Sequence, residues 1–215
     1  GYDALGVNTT GTHNTAVGAS ALDASTTGSD LTAVGYNVLG ANTTGYSNVG
    51  VGGSATYLAA ALATNTTGYG NTAVGSGAMA ATTTASSNVA VGRQSMYANT
   101  TGSNNVAAGH AALALNTTGA SDVAVGATAL DSNTTGADNV AVGLSSLGLN
   151  TTGGQNVALG ENALGANTTA ANNVAIGYRT LLVNTTGAGN VAIGRGALDA
   201  NTTASNNVAV GYGAA

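Results

Sequence analysis

The sequence predicts an all-β fold: a repetitive parallel β-solenoid or β-roll in which one 17-residue row makes one coil. Three observations carry this. The phrase Asn-Thr-Thr-Gly, or a close variant, recurs twelve times, at intervals of 17 residues with one interval of 23. Each row holds one short β-branched segment, Val-Ala-Val-Gly or a variant, bounded by turn residues, the pattern of a strand. Equivalent positions carry nearly the same residue throughout, and only stacked, quasi-one-dimensional architectures place successive segments in the same environment.

The rows begin at Asn8, Ser25, Asn42, Asn65, Thr82, Asn99, Asn116, Asn133, Asn150, Asn167, Asn184 and Asn201. The consensus is N-T-T-G-x-x-N-V-A-V-G-x-x-A-L-x-A, and positions 1–17 below refer to it. The chain reads as a single repeat array over 1–215: a partial row at 1–7, twelve rows over 8–215, and a six-residue insertion near Ala55–Ala60. It opens and closes inside a row, so a longer array is expected. Seventeen residues punctuated by Gly are too few for a helical hairpin. Coils stacked about 4.8 Å apart would make a rod roughly 55–60 Å long.

Within the strand segment, alternation puts the two Val on one face and Ala on the other. We expect the Val face to fill the coil's interior, completed by Leu at position 15, replaced by Met79 and Met96 in two rows. The Ala column is restricted in size: Ala16, Ala33, Gly50, Ala73, Ala90, Ala107, Ala124, Ala141, Ala158, Ala175, Ala192 and Ala209. A water-facing column should be polar and variable. This one is therefore expected to face outward and pack against identical chains in a self-associated fibre.

The variable columns read as solvent-facing turns. Arg93, Arg179, Arg195 and Glu161 fall at positions 12 or 13, as do Tyr2, Tyr36, Tyr178 and Tyr212; Asp23, Asp131 and Asp199 fall at position 16. Asn at position 7 is present in ten rows, with Leu31 and Asp122 the exceptions. It is expected to form a stacked ladder or to bond the turn backbone, as is the Asn at position 1. The invariant Gly at position 11 is expected to supply a positive φ or a close backbone approach.

Composition narrows the function. The chain has three Arg, no Lys, no Cys and no Pro, and 5% charged residues. Three cations cannot neutralise a run of phosphates, which argues against nucleic acid as a partner. Without Cys there are no disulfides, zinc-thiolate sites or thiol nucleophiles. No stretch approaches 18 consecutive apolar residues, so no membrane-spanning helix is expected. Low charge and abundant Gly would suggest disorder in a random order; the repeat overrides that.

No catalytic, cofactor-binding or metal-ligating constellation is expected, and hence no enzyme. His13 and His110 stand about six rows apart, roughly 25–30 Å on the stacked spacing, and no carboxylate is expected to face either. Ten rows carry an N-x-T sequon, making Asn8, Asn42, Asn65, Asn99, Asn116, Asn133, Asn150, Asn167, Asn184 and Asn201 candidate N-glycosylation positions. Glycans stacked row on row would crowd. Regular Thr ranks raise a minor alternative, an ice-binding β-solenoid. Adjacent strand residues face opposite ways, so only one Thr per row could join such a face.

The phrase N-V-A-I-G-x-x-A, as at Asn173–Thr180 and Asn190–Ala197, resembles the head repeats of trimeric autotransporter adhesins. The full 17-residue row is similar to repeat arrays of phage-type tail-fibre proteins, which often end in an endosialidase-like chaperone domain. The resemblance spans essentially the whole chain. It implies a homotrimeric, left-handed β-roll shaft or head displayed extracellularly, on a cell or virion surface. Where those families carry a membrane anchor, a coiled-coil stalk or a terminal chaperone, none is expected within these 215 residues. The expected function is a rigid extracellular fibre segment assembled from identical chains. The alternative is an adhesin or receptor-binding head whose loop Tyr and Arg contact a cell surface or glycan.

Overall fold

A computed structural model describes residues 1–54 and 58–215. The chain is an all-β parallel solenoid, with one three-residue strand per row, shorter by the Gly than the four-residue segment expected. It falls into two compact units, Gly1–Asn105 and Val106–Ala215. The first unit holds β1 (Thr15–Val17), β2 (Thr32–Val34), β3 (Val49–Val51), β4 (Thr72–Val74) and β5 (Val89–Val91). The second holds β6 (Val106–Ala108), β7 (Val123–Val125), β8 (Val140–Val142), β9 (Val157–Leu159), β10 (Val174–Ile176), β11 (Val191–Ile193) and β12 (Val208–Val210). Within each unit neighbouring rows pair in parallel with row-to-row register: Ala16 faces Ala33, Ala33 faces Gly50, and Ala141 faces Ala158. Ala55–Tyr57, half of the expected insertion, lie outside the described residues.

Pairing continues beyond the strands. At position 2 the Thr134 amide donates to the Thr151 carbonyl at 2.9 Å, and the Thr134 hydroxyl donates to the same oxygen. The same pair of bonds recurs at Thr43 toward Thr66 and at Thr151 toward Thr168. Within each unit neighbouring rows are thus tied by main chain and side chain together, and a missing backbone donor would break the tie; no Pro occurs in the chain.

The coil's interior reverses one expectation. The Ala column is inside: Ala33, Ala73, Ala107, Ala141 and Ala175 are completely buried within the single chain. The flanking strand residues face out: Val17 is 57% exposed, Val91 43% and Val142 37%. The expected interchain packing of Ala16, Ala33, Gly50, Ala73, Ala90, Ala107, Ala124, Ala141, Ala158, Ala175, Ala192 and Ala209 is therefore corrected. The surface that restricts their size is the chain's own core. Leu147, Leu164 and Leu181 at position 15, and Ala129, Ala163 and Ala197 at position 14, are fully buried. A Cβ added to Gly50 would sit 2.5 Å from Val38 Cγ1 and 3.6 Å from Leu39 Cδ1. Val38 is the only Val at position 14, and Gly50 is the only non-Ala at position 9, so a larger residue in one column is matched by a smaller one in the other. The two residues pack as a complementary pair, as close-packed interiors require.

The Gly at position 11 behaves as expected. Gly143 has φ 130°, and a Cβ there would lie 2.6 Å from the Gly160 carbonyl carbon in the next row. Position 15 pairs burial with strain: Leu147 (φ 50°) and Leu164 (φ 52°) are left-handed, a conformation costly for L-residues that persists where packing over-determines it.

Candidate functional site

The Asn columns are structural ladders, as the sequence implied. At position 7, the Asn156 amide donates to Asn139 Oδ1 at 3.1 Å. Asn156 Nδ2 donates to the same oxygen at 3.2 Å and to the Ala170 carbonyl, one row on, at 2.9 Å. Asn139, Asn173 and Asn190 make the same row-to-row bonds. Position 1 is a second ladder. Asn150 Nδ2 donates to Asn133 Oδ1 at 3.0 Å and to the Gly153 carbonyl at 2.9 Å.

That second ladder decides the sequon question. Asn42, Asn65, Asn99, Asn116, Asn133, Asn150, Asn167 and Asn184 are completely buried. Asn8 and Asn201 are half-buried, and their Nδ2 groups donate to Gly11 and Ala204. At the eight buried positions these nitrogens are spent inside the folded coil, so those candidate glycosylation positions are corrected to structural Asn of the coil interior. Thr at position 3 is exposed in every row, while position 2 hydroxyls such as those of Thr134 and Thr151 are half-buried and bonded to the next row.

Asp122 stands in the position 7 ladder where most rows have Asn. It is completely buried. Its Oδ1 accepts from the Asn139 amide at 2.9 Å and from Asn139 Nδ2 at 3.1 Å, and its Oδ2 accepts from Asn133 Nδ2 at 3.3 Å. Burial outweighs these bonds, and Asp138 adds like charge, so the carboxyl is pushed up to about 7. Sequence reasoning noted the exception and missed its titration.

The His expectation needs correcting. His13 Nδ1 lies 3.2 Å from Asp30 Oδ1, both groups well exposed. Both residues sit at position 6 of adjacent rows, so row alignment alone would have shown the pairing. An exposed pair of this kind contributes little.

Two arrangements face solvent. One is the outward strand face. In β6–β12 its fourteen positions are Val, Ile, Leu and one Ala, without a charge or hydroxyl. In β1–β5 three of the ten outward positions are Thr (Thr15, Thr32 and Thr72) and the rest are Val. The other is a position 12 column. Arg195 Cζ sits 5.5 Å from the Tyr178 ring centroid and 5.6 Å from that of Tyr212, a cation–π stack repeating at row spacing. With Arg179 and Asp199 these residues line a cleft of about 260 Å³. Tyr46 and Tyr69, at position 5 of adjacent rows, stack with centroids 4.9 Å apart.

Among the described residues no group of three or more His, Asp or Glu is placed to hold a metal, and no helix is long and apolar enough to cross a membrane. No family model, curated protein or solved structure matches the chain.

Proposed function

We propose that the chain is a rigid segment of an extracellular fibre, built from identical chains that meet through their outward strand faces. The observation that supports this reading is the uncharged Val/Ile face of β6–β12, where Val125, Val142 and Ile193 remain 37–38% exposed. Burying one such side chain is worth on the order of 1 kcal/mol, and the face repeats it in every row. A contiguous apolar strip on a folded chain marks an association surface. The homotrimer and the display on a cell or virion surface come from the resemblance of the row to adhesin heads and tail-fibre arrays. In this role, stacked ladders supply stiffness and the turns supply a variable exterior. The test is the mass in solution, by sedimentation, with negative-stain images. The reading expects elongated multimers that Val125→Lys with Val142→Lys dissociates; a compact monomer whose mass the double variant leaves unchanged overturns it.

A second reading, an adhesin head, is favoured by the Tyr178–Arg195–Tyr212 column, which presents two aromatic rings and two guanidinium groups in one cleft. Loss of cell or glycan binding in Tyr178→Ala, with assembly intact, would support it.

A further inference from the structure

Positions 13, 16 and 17 of four successive rows in the second unit enclose an open groove of about 470 Å³. Its floor is the position 16 column. Asp131 and Leu182 stand at its two ends, and Gly148 and Gly165 lie between them. The two adjacent glycines leave the trough unfilled. They are not forced by backbone: neither has a positive φ, and Tyr97 and Leu182 occupy the same position in other rows. One wall is polar, with Thr128 and Ser145 hydroxyls bonded at 2.9 Å and Asn162 in the next row. The other carries Leu149 and Val183, both exposed apolar side chains.

The groove is therefore apolar along most of its length and acidic at one end. Asp131 is half-buried, and that burial holds its carboxyl above the ordinary range despite the Ser132 hydroxyl that donates to it at 3.4 Å. No cation lies within ion-pair distance of it among the described residues, and none of the three Arg lines the groove. These 215 residues hold no Lys, so a second copy of this segment offers no ammonium side chain here.

We propose that this groove binds a primary ammonium carried on an aliphatic stem, the chemistry of a Lys side chain of a different protein. The ammonium pairs with Asp131, and the stem lies over Gly148 and Gly165 against Leu149. From Asp131 to the Gly165 row is two row spacings, about 10 Å, which takes a four-carbon stem and its charged head. Long cationic side chains lay their stems on apolar surface in this way. The proposal goes beyond the fibre reading and shares no residue with the strand face, so either can fail alone.

The test is methyl NMR of the full chain titrated with Nα-acetyl-lysine amide, with Nα-acetyl-norleucine amide as the probe lacking the ammonium. The expected result is a shift of the Leu149, Leu182 and Val183 methyls by the lysine probe at millimolar concentration, with binding about fivefold weaker for the norleucine probe and for Asp131→Asn. Gly165→Leu, which copies the Leu182 row, fills the trough and abolishes binding. Equal binding of both probes, shifts elsewhere on the chain, or full binding by a folded Gly165→Leu would overturn the proposal.

Discussion

Replacing Asp122 with Asn should stabilise the second unit at alkaline pH and change little at pH 4. The sign follows from the direction of the shift. The carboxyl's ordinary value is 3.8, and burial raises it to about 7 in the fold. Between those limits the folded chain holds a proton that the unfolded chain has released, so stability falls as pH rises and levels off above about 7. The interval is worth up to roughly 4 kcal/mol at 1.36 kcal/mol per pH unit. Asn keeps Oδ1 for the Asn139 donors and adds a donor like that of Asn139 itself, which reaches the Gly153 carbonyl in the next row. Stability in a repeat array is approximately a sum of row and nearest-neighbour terms, so the effect should concentrate in rows adjoining Asp122. Urea unfolding at pH 4, 6 and 8 reads the global effect, and hydrogen exchange of the Asn139 amide reads the local one. Asp131 is raised in the same direction and persists in both proteins, so the difference between them is the quantity to follow. Wild type and Asp122→Asn that run parallel across this range would refute the reasoning.

Three further outcomes follow from the packing. Gly50→Ala should destabilise by about 1–3 kcal/mol, the usual cost of overpacking, and Val38→Ala should rescue it, because the added Cβ meets Val38 Cγ1; additive effects in a double-mutant cycle would contradict the contact. Gly143→Ala should cost more than about 2 kcal/mol in chemical denaturation, since it combines a left-handed φ with a Cβ against the Gly160 backbone. Asn156→Ala leaves the amide and Nδ2 of Asn173 without Asn156 Oδ1 and removes the donor to the Ala170 carbonyl; a loss of about 2–3 kcal/mol in thermal unfolding is expected.

Much of the coil was legible in the sequence because each row solves the same problem. The strand position, the buried Leu at position 15, the Asn ladders and the positive-φ Gly could be read from columns of identical residues. What could not be read was which strand face points inward. Period-2 alternation places Ala opposite Val and is silent on which side is core. Size restriction is the mark a neighbouring chain would leave, whereas Leu147 and its equivalents impose it from within. The correcting signal was present: the one Gly at position 9 and the one Val at position 14 fall in consecutive rows. The sequon reading failed for a related reason. N-x-T is a surface motif in an ordinary loop, but here Asn150 and its equivalents bond the row before and the turn they begin. The groove is not visible in the sequence, because Gly148 and Gly165 stand in a variable column and only stacking aligns them into a trough.

If identical chains meet through the strand face, as proposed, a Cys placed there should link them, and the sequence has no Cys to interfere. Val142→Cys places one thiol on that face, and Thr135→Cys places one on an exposed turn. Oxidation at low protein concentration, read by mass on non-reducing gels, should give covalent dimers of Val142→Cys, the most that one thiol per chain can link, and leave Thr135→Cys monomeric, since a disulfide needs Cβ atoms within roughly 4.5 Å. Monomeric Val142→Cys together with a monomeric mass in solution would contradict it.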